Sequence, residues 1–188
     1  MRYFIYGVVI LLLLPISAFA FFRPSRILLP EAFGVSCNEY RVCVDDPSQF
    51  AAAATLSSDS KNYLEVQWGM SVGKPKIIFC STEKCQSAFG LGKRAGFTVG
   101  TLGIVIAPRG WKPYYVAHEL IHYWQADNFG NMALLKGKKW FVEGMAYSLS
   151  NDPRKKLHEP YESYRQKFND WHRFNSGIPL KEAAGKEL

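Results

Sequence analysis

The 188-residue sequence has only four histidines and four cysteines, and it contains no internal repeat or low-complexity tract. It also lacks the RNP, zinc-finger and helix-turn-helix patterns, so we expect no nucleic-acid partner despite a formal net charge of +7. Its Lys and Arg residues are scattered, which is as typical of a solvated surface as of one that attracts anionic lipids or wall polymers. The hydrophobic content of 48% is ample for the core of one domain of this length.

Long hydrophobic runs are also scarce, and the clearest one lies at the N-terminus. Arg2 precedes an apolar run over residues 3–16, a proline interrupts that run, and Ala18 to Ala20 has the small-x-small pattern of a signal-peptidase site. These features predict an export signal over residues 1–20 that is cleaved after Ala20. The alternative is an uncleaved membrane anchor over residues 3–22, since about 20 apolar residues can span a bilayer.

Both interpretations place the rest of the chain outside the cytoplasm. We expect residues 24–188 to form a single exported domain, periplasmic or secreted. It would contact a membrane only if residues 3–22 stay attached. No cysteine closely follows the apolar run, so a lipoprotein anchor is not expected.

All four cysteines follow the predicted export signal, and their number is even. In an oxidising compartment this composition predicts two disulfides, for which three connectivities are possible. The favoured connectivity joins the neighbours in sequence, Cys37 with Cys43 and Cys80 with Cys85. The alternative is a metal site built from all four cysteines, which is less favoured because neither pair has the C-x2-C spacing of a structural zinc site.

His118-Glu119-x-x-His122 is the most informative stretch of the sequence. Its surroundings predict a helix, because Pro113 suits a first helical position and no Gly or Pro interrupts before Gly130. The two histidines then project from one face, one turn apart, and both imidazoles can reach one zinc ion. Glu119 lies beside the metal, where a carboxylate can accept a proton from water. The alternative is an amphipathic helix whose histidines merely face a pocket or solvent.

A catalytic zinc normally has three protein ligands, so a third donor is expected after His122. Glu143 is the best candidate, since it belongs to a largely apolar helical segment over residues 139–149, where a carboxylate is costly unless it is paired or binds a metal. The alternative is an ion pair with a lysine such as Lys139. Gly144 costs about 1 kcal/mol in a helix relative to Ala, and we expect it to permit close approach of the helix that carries the histidines.

The two motifs together, His118-Glu119-x-x-His122 and, after a gap of 20 residues, Trp-Phe-x-Glu143-Gly, resemble the gluzincins, zinc metallopeptidases of the MA type. The resemblance covers about residues 75–150. It implies that His118, His122 and Glu143 bind Zn2+ and that Glu119 is the catalytic carboxylate.

The sequence departs from the thermolysin-like pattern at one place. There, an Asp four residues after the ligand Glu buttresses a ligand His, whereas this chain has Tyr147, so the group that orients the histidine is unassigned. The resemblance also implies a Tyr or His downstream of the ligand Glu as a donor to the developing oxyanion. The candidates, which the sequence does not rank and which also suit ordinary surface or core positions, are Tyr161, Tyr164, His158 and His172.

The remaining pattern predicts an α+β fold in which a short β-sheet packs on the helices that carry the zinc site. Residues 101–107 form the strongest predicted strand, and the resemblance implies that this strand is the sheet edge that pairs with an extended peptide. An ordinary buried strand is an equally good interpretation, because its residues are almost all apolar. Other expected elements are helices over residues 50–56, 61–70, 85–91 and 159–174, a strand over 76–80, a loop or β-turn over 90–100, as part of a hairpin or loop before the next strand, and a loose end over 176–188.

These features predict an exported zinc metallopeptidase that acts on a peptide or protein, with Glu119 as the general base. Two other functions fit the same site: an amide hydrolase acting on cell-wall material, and a metal-binding assembly factor without turnover. Glu119 argues against the assembly factor, because a purely structural metal site does not need that carboxylate.

Overall fold

A small mixed β-sheet and the helices packed on it make up residues 23–188, the part of the chain that the computed structural model describes. This arrangement confirms the α+β class, and the predicted export signal lies outside the described range. No helix within that range combines the length and hydrophobicity needed to cross a membrane.

The sheet has five short strands: β1 (Ser36–Cys37), β2 (Val42–Val44), β3 (Ile77–Phe79), β4 (Gly96–Thr98) and β5 (Ile104–Ile106). Their order is β1-β2-β3-β5-β4. The strand β3 pairs in parallel with β2 and β5, whereas β1 and β4 pair antiparallel at the two edges. The inner strands consist almost entirely of β-branched and aromatic residues and are fully buried, as expected for strands covered on both faces.

Seven α-helices surround the sheet in the described range: α1 (Phe50–Trp68), α2 (Glu83–Ala88), α3 (Pro113–Phe129), α4 (Asn131–Lys136), α5 (Lys139–Leu149), α6 (Tyr161–Phe174) and α7 (Leu180–Ala184). Five short 3-10 helices join them: Arg23–Leu28, Pro30–Phe33, Pro47–Gln49, Gly100–Leu102 and Pro108–Gly110. The helix α3 begins with a proline at its first position, as the sequence predicts.

Three expected elements differ from the observed ones. The helices expected over residues 50–56 and 61–70 are one continuous helix, α1, because the serines between them are buried or hydrogen-bond to the preceding turn. The region expected to be a loop or β-turn over residues 90–100 contains β4, whose three residues are too few to show the alternating hydrophobicity of a strand. The loose end expected over 176–188 contains α7, whose Ala183 and Ala184 are buried.

The sheet separates two hydrophobic layers, and the alternation of side chains along β3 and β5 assigns residues to each. Ile77 and Ile104 face the larger layer, where α1, α3 and α5 pack. Ile78 and Val105 face a smaller layer formed by the N-terminal 3-10 segment, α2 and the residues around Leu91. The helix α3 therefore lies in the larger layer, and ten of its 17 residues are buried, Glu119 and His122 among them.

Two disulfides join segments that lie close in sequence, and they confirm the predicted connectivity. Cys37 pairs with Cys43 across the β1–β2 hairpin, and Cys80 at the end of β3 pairs with Cys85 in α2. All four cysteines of the chain are thereby bonded. Disulfides of this kind are typical of an oxidising compartment outside the cytoplasm.

The strand expected to form the sheet edge is in fact an inner strand. The strand β5 lies between β3 and β4, and its residues are buried on both sides. The edge is β4, whose outer side pairs with no strand of residues 23–188. The edge position, which the resemblance implied, was therefore wrong, and the alternative of an ordinary buried strand, which the apolar residues favoured, is confirmed.

Gly144 permits close helix packing, but with a different helix from the one expected. A β-carbon at this position would lie 2.4 Å from the carbonyl oxygen of Tyr164 and 2.9 Å from Cβ of Phe168, both on α6. The glycine therefore brings α5 and α6 together, rather than α5 and the histidine-bearing α3. This contact fixes α5, and with it Glu143, against the C-terminal part of the fold.

Candidate metal centre

His118 and His122 lie one turn apart on α3, and their Nε2 atoms are 3.1 Å apart. The spacing follows from the helical period, which places residues i and i+4 on one face. Both side chains are largely buried, with 12% and 11% of their surface exposed. The predicted pair of imidazoles is therefore present and points to one place.

Glu143 supplies the third group from α5. Its Oε2 lies 3.8 Å from Nε2 of His118 and 3.7 Å from Nε2 of His122. The alternative of a lysine partner does not hold for the nearest candidates. Lys138 instead forms an ion pair with Glu187 at 2.7 Å, and the Lys139 amine lies 3.5 Å from the carbonyl oxygen of Leu134.

The three donor atoms fit a metal ion in spacing and in chemistry. Around a tetrahedral zinc with bonds of about 2 Å, neighbouring donors stand about 3.3 Å apart, and the observed separations of 3.1, 3.7 and 3.8 Å bracket that value. Two imidazole nitrogens and one carboxylate oxygen are a common ligand set of catalytic zinc. These are also electron-rich atoms that face one another in a buried place, so a cation between them, a metal or a proton, is required to offset their repulsion.

Burial and mutual charge interactions shift the pKa values of His118, His122 and Glu143. Burial, and then the neighbouring His122 ring, lower the pKa of His118 to about 3, so that ring is neutral at physiological pH. Burial opposes charge on His122 and on Glu143, but their mutual attraction is stronger. It raises the pKa of His122 and lowers that of Glu143, so the positively charged form of His122 is favoured beside the Glu143 carboxylate.

Gln125 orients His122 through a fully buried amide. The Gln125 amide nitrogen donates to the carbonyl oxygen of Val142 at 3.1 Å, which fixes the orientation of the amide because a carbonyl can only accept. Its Oε1 then faces Nδ1 of His122 at 2.9 Å and accepts the Nδ1–H. A proton held on Nδ1 leaves the lone pair of Nε2 for the metal.

Tyr147 contacts the other histidine. Its ring packs edge to face against the His118 ring with a centroid distance of 4.4 Å. Tyr147, the residue that departs from the thermolysin-like pattern, therefore lies next to His118. It holds the His118 ring by packing, whereas the Asp of that pattern would hold it by a hydrogen bond. Burial, and then the Glu143 charge, raise the pKa of the Tyr147 hydroxyl above its ordinary value, so this hydroxyl stays protonated.

Glu119 is only 8% exposed and lies at the same cleft as the three donors. The Thr98 hydroxyl, on the edge strand β4, lies 2.8 Å from Oε2 of Glu119 and 2.9 Å from its main-chain oxygen. Burial, which is the largest influence, raises the pKa of Glu119, and the nearby His122 opposes the rise. A carboxylate with a raised pKa accepts a proton more readily than an ordinary one, which suits a group that takes up a proton and returns it.

Gly96 on β4 makes room for Glu119. A β-carbon there would lie 2.9 Å from Cγ and 3.2 Å from Oε1 of Glu119. Distances this short require the glutamate to move. Neither Gly96 nor Thr98 was identified from the sequence, because both lie in the stretch expected to be a loop.

A cleft of about 460 Å³ opens over these groups, and its walls come from β4, α3, α4 and α5. Of the four predicted oxyanion donors, only Tyr161 lines it; Tyr164, His158 and His172 do not. His172 instead stacks on Phe168 in the packing of α6. Further polar groups in the cleft were missed by sequence reasoning, namely Arg94, Arg109, Tyr115 and Arg154, and Tyr147 was noted only as a departure from the thermolysin-like pattern.

Comparisons of the chain with protein-family models, with curated proteins and with solved structures find no match. The chemistry of the site therefore has to be derived from its own residues.

Proposed function

We propose that this protein is an exported zinc metallopeptidase that hydrolyses peptide bonds in a gluzincin-like manner. One observation carries the proposal: two imidazole nitrogens and a carboxylate oxygen converge within 3.1–3.8 Å beside a second, buried carboxylate, Glu119. The cleft in which they lie is open to a substrate. A site that only stabilises the fold needs the three ligands but not the second carboxylate.

His118, His122 and Glu143 would hold the zinc, and the buried Gln125 and the Tyr147 ring would keep the two imidazoles in position. When bound, zinc supplies a Lewis acid that makes water a stronger nucleophile and polarises a carbonyl oxygen. The chain leaves one side of the three donors open to the cleft, as a catalytic zinc site requires.

Glu119 is the proton carrier of the proposed reaction. Its carboxylate takes a proton from the attacking water and later returns it to the leaving amine. The Thr98 hydroxyl hydrogen-bonds to the Glu119 carboxylate and fixes its position, and Gly96 leaves the space that the Glu119 side chain occupies. Positioning of this kind matters, because displacement by about 1 Å can cost a factor of about 100 in rate.

The edge strand β4 is suited to bind an extended peptide. The main-chain bonds from Ala107 to Ala95 and from Val99 to Gly103 show that residues 95, 97 and 99 face β5. By the alternation of an antiparallel ladder, the amide and carbonyl groups of Gly96 and Thr98 then face the open edge. A peptide that pairs with them lies directly over Glu119.

The cleft also holds donors for the negative charge that forms on the carbonyl oxygen. The Tyr147 hydroxyl is kept protonated, and the Arg154 guanidinium lies 5.7 Å from the centre of the Tyr147 ring. Tyr161, whose ring centre is 5.2 Å from that of Tyr147, is the next donor along the wall. Preorganised donors of this type commonly supply a large part of the rate enhancement.

The test separates the ligand Glu143 from the proton carrier Glu119 in one preparation. Glu119→Gln keeps the size and much of the hydrogen bonding but cannot take up the proton. It should retain about one zinc per chain by elemental analysis and lower hydrolysis of casein or a peptide library by roughly 10² to 10⁴. Glu143→Ala should instead lose zinc and melt at a lower temperature, because metal binding favours the folded state.

Two results would contradict the proposal. Full activity in Glu119→Gln would show that this carboxylate does not carry the proton, and a metal-binding assembly factor would then be the better explanation. Full zinc occupancy in the His118→Ala, His122→Ala double variant would show that the metal lies elsewhere.

A further inference from the structure

Two arginines lie together at one end of the cleft. Ala95 accepts a main-chain hydrogen bond from Ala107 at 2.8 Å, and a β-carbon on Gly110 would lie 2.0 Å from the Ala95 oxygen. The segments before β4 and after β5 are therefore in contact, and each carries one arginine next to this contact, Arg94 and Arg109. Both side chains are exposed and line the cleft.

These two guanidinium groups have no acidic partner. Among residues 23–188, neither has a carboxylate within ion-pair distance. The third arginine of the cleft, Arg154, is different, because it pairs with Asp152. The only acidic side chains that line the cleft in the described range are Glu119 and Glu143, which already have roles at the metal. The charge of Arg94 interacts with that of Glu119, but neither arginine forms an ion pair within residues 23–188, so this end of the cleft carries an excess of positive charge.

The opposite end of the cleft is apolar. It is lined by Leu134 and Leu135 of α4, and Leu135 is 70% exposed. The start of α4 lies against the residues that follow β4, because the side-chain oxygen of Asn131 accepts a hydrogen bond from the Thr101 amide at 2.9 Å. The cleft therefore changes from basic to apolar along β4, in the direction in which that strand runs.

We infer that the cleft selects peptides with a carboxylate on one side of the scissile bond and apolar residues on the other. Arg94 and Arg109 bind the carboxylate, and Leu134 and Leu135 contact the apolar side chains. Antiparallel pairing with β4, the more common type, places the C-terminal part of the peptide at the arginines. The carboxylate comes from an acidic side chain or from the C-terminus of the peptide, and this selectivity rests on the peptidase function proposed above.

Binding can be measured without turnover in the full-length Glu119→Gln variant. The probe is a fluorescent peptide with leucines in its N-terminal half, glutamates in its C-terminal half and both termini blocked. Glutamine in place of glutamate gives the neutral peptide, and a free C-terminus on that neutral peptide tests the second source of a carboxylate. Fluorescence anisotropy gives the affinity of each peptide.

We expect at least one carboxylate peptide to bind more tightly than the neutral one, with a difference that shrinks at high salt. Arg94→Gln together with Arg109→Gln should weaken that binding by about 5- to 30-fold, since each exposed pair of opposite charges contributes up to about a factor of five. The same change should leave binding of the neutral peptide within about twofold, since no charge is involved. Lys93→Gln is the matched control, because Lys93 is exposed beside Arg94 but does not line the cleft.

Equal binding of the charged and neutral peptides would overturn the inference. An equally large loss in Lys93→Gln would also overturn it, because the effect would then come from overall charge. Cleavage of peptides by the wild-type chain without regard to charge would leave the peptidase function in place and remove this selectivity. Conversely, arginine-dependent binding of the acidic peptide without cleavage would support the carboxylate site and contradict the peptidase.

Discussion

Nδ1 of His122 lies 2.9 Å from the side-chain oxygen of Gln125, three residues further along the same helix. Gln125 is fully buried and is held from the other side by the carbonyl oxygen of Val142 on α5. One amide thus connects the helix that carries the two histidines to the helix that carries Glu143. It fixes both the orientation of the His122 ring and the distance between the two helices that form the candidate metal site.

Replacement of Gln125 should therefore weaken metal binding even though Gln125 is not a ligand. Gln125→Met keeps a similar length and removes the acceptor for the Nδ1–H of His122. We expect zinc affinity, measured by competition with a chelator, to fall by about 10- to 100-fold, the usual effect of removing a partner of a ligand histidine. Gln67→Met is the control, because Gln67 is exposed on α1. Unchanged zinc affinity in a folded Gln125→Met protein would show that the amide does not orient the ring.

Asp152 and Arg154 form the polar contact that holds the segment after α5. The Asp152 side chain is only 2% exposed, whereas that of Arg154 is 39% exposed. Burial opposes the charge on Asp152, but hydrogen bonds from Arg154 outweigh it and lower the pKa of the aspartate below its ordinary value of 3.8. The guanidinium also lies against the rings of three tyrosines, Tyr114, Tyr115 and Tyr147. The pair therefore supports one wall of the cleft.

A carboxylate whose pKa is lower in the folded state stabilises the fold above its unfolded pKa, and this benefit disappears as the pH falls through the folded pKa. Asp152→Asn should thus lower the free energy of unfolding by about 1 kcal/mol at pH 7, a modest value because Arg154 is partly solvated. The difference from wild type should shrink as the pH falls below the ordinary value of 3.8 and vanish below the lowered folded-state pKa of Asp152. Urea unfolding in the presence of a chelator measures this without a contribution from metal.

The control for this comparison is Asp170→Asn. Asp170 also pairs with an arginine, Arg173, at 3.2 Å, but the two side chains are 64% and 76% exposed. Its loss should change the free energy of unfolding little at any pH. A difference for Asp152→Asn that persists in acid would mean that the charge of Asp152 is not what stabilises the fold.

The candidate site could be identified from sequence where its chemistry has a short-range pattern. The spacing of His118 and His122 follows from the helical period alone, and Glu143 stands out because a carboxylate in an apolar helix needs a partner. The two disulfides were also predictable, since each joins cysteines that are close in sequence. In each case the information lies within a few residues or within one helix.

The parts that sequence reasoning missed depend on contacts between distant segments. Nothing in the sequence around Gln125 indicates its role, because that role depends on the contact between α3 and α5. The edge strand β4 has only three residues, and Gly96 and Thr98 gain a role only because α3 lies against them. Conversely, the apolar residues of β5 correctly favoured a buried strand, whereas the edge position rested on the resemblance alone, and the pairing partners of a strand depend on the tertiary fold. Gly144 was correctly expected to permit close packing, but the partner helix depended on the tertiary fold.

Gly96 offers a test of how Glu119 is positioned. Gly96→Ala adds a single methyl group that would lie 2.9 Å from Cγ of Glu119 and 3.0 Å from Cδ1 of Ile106. The buried glutamate must then shift, whereas none of the three atoms nearest to the methyl group belongs to His118, His122 or Glu143. We expect zinc content to stay at the wild-type level and peptidase turnover to fall by about 10- to 100-fold, since small displacements of a catalytic group have effects of that size.

Two comparisons distinguish this from a general loss of stability. Gly177→Ala is the control, because a β-carbon at Gly177 would meet no atom within 4 Å and both zinc content and turnover should be unchanged. In the Glu119→Gln background, Gly96→Ala should cause little further loss, because two changes that act through the same group are not additive. A full additional loss in that background would show that Gly96 acts on the substrate through the edge of β4 instead of through Glu119.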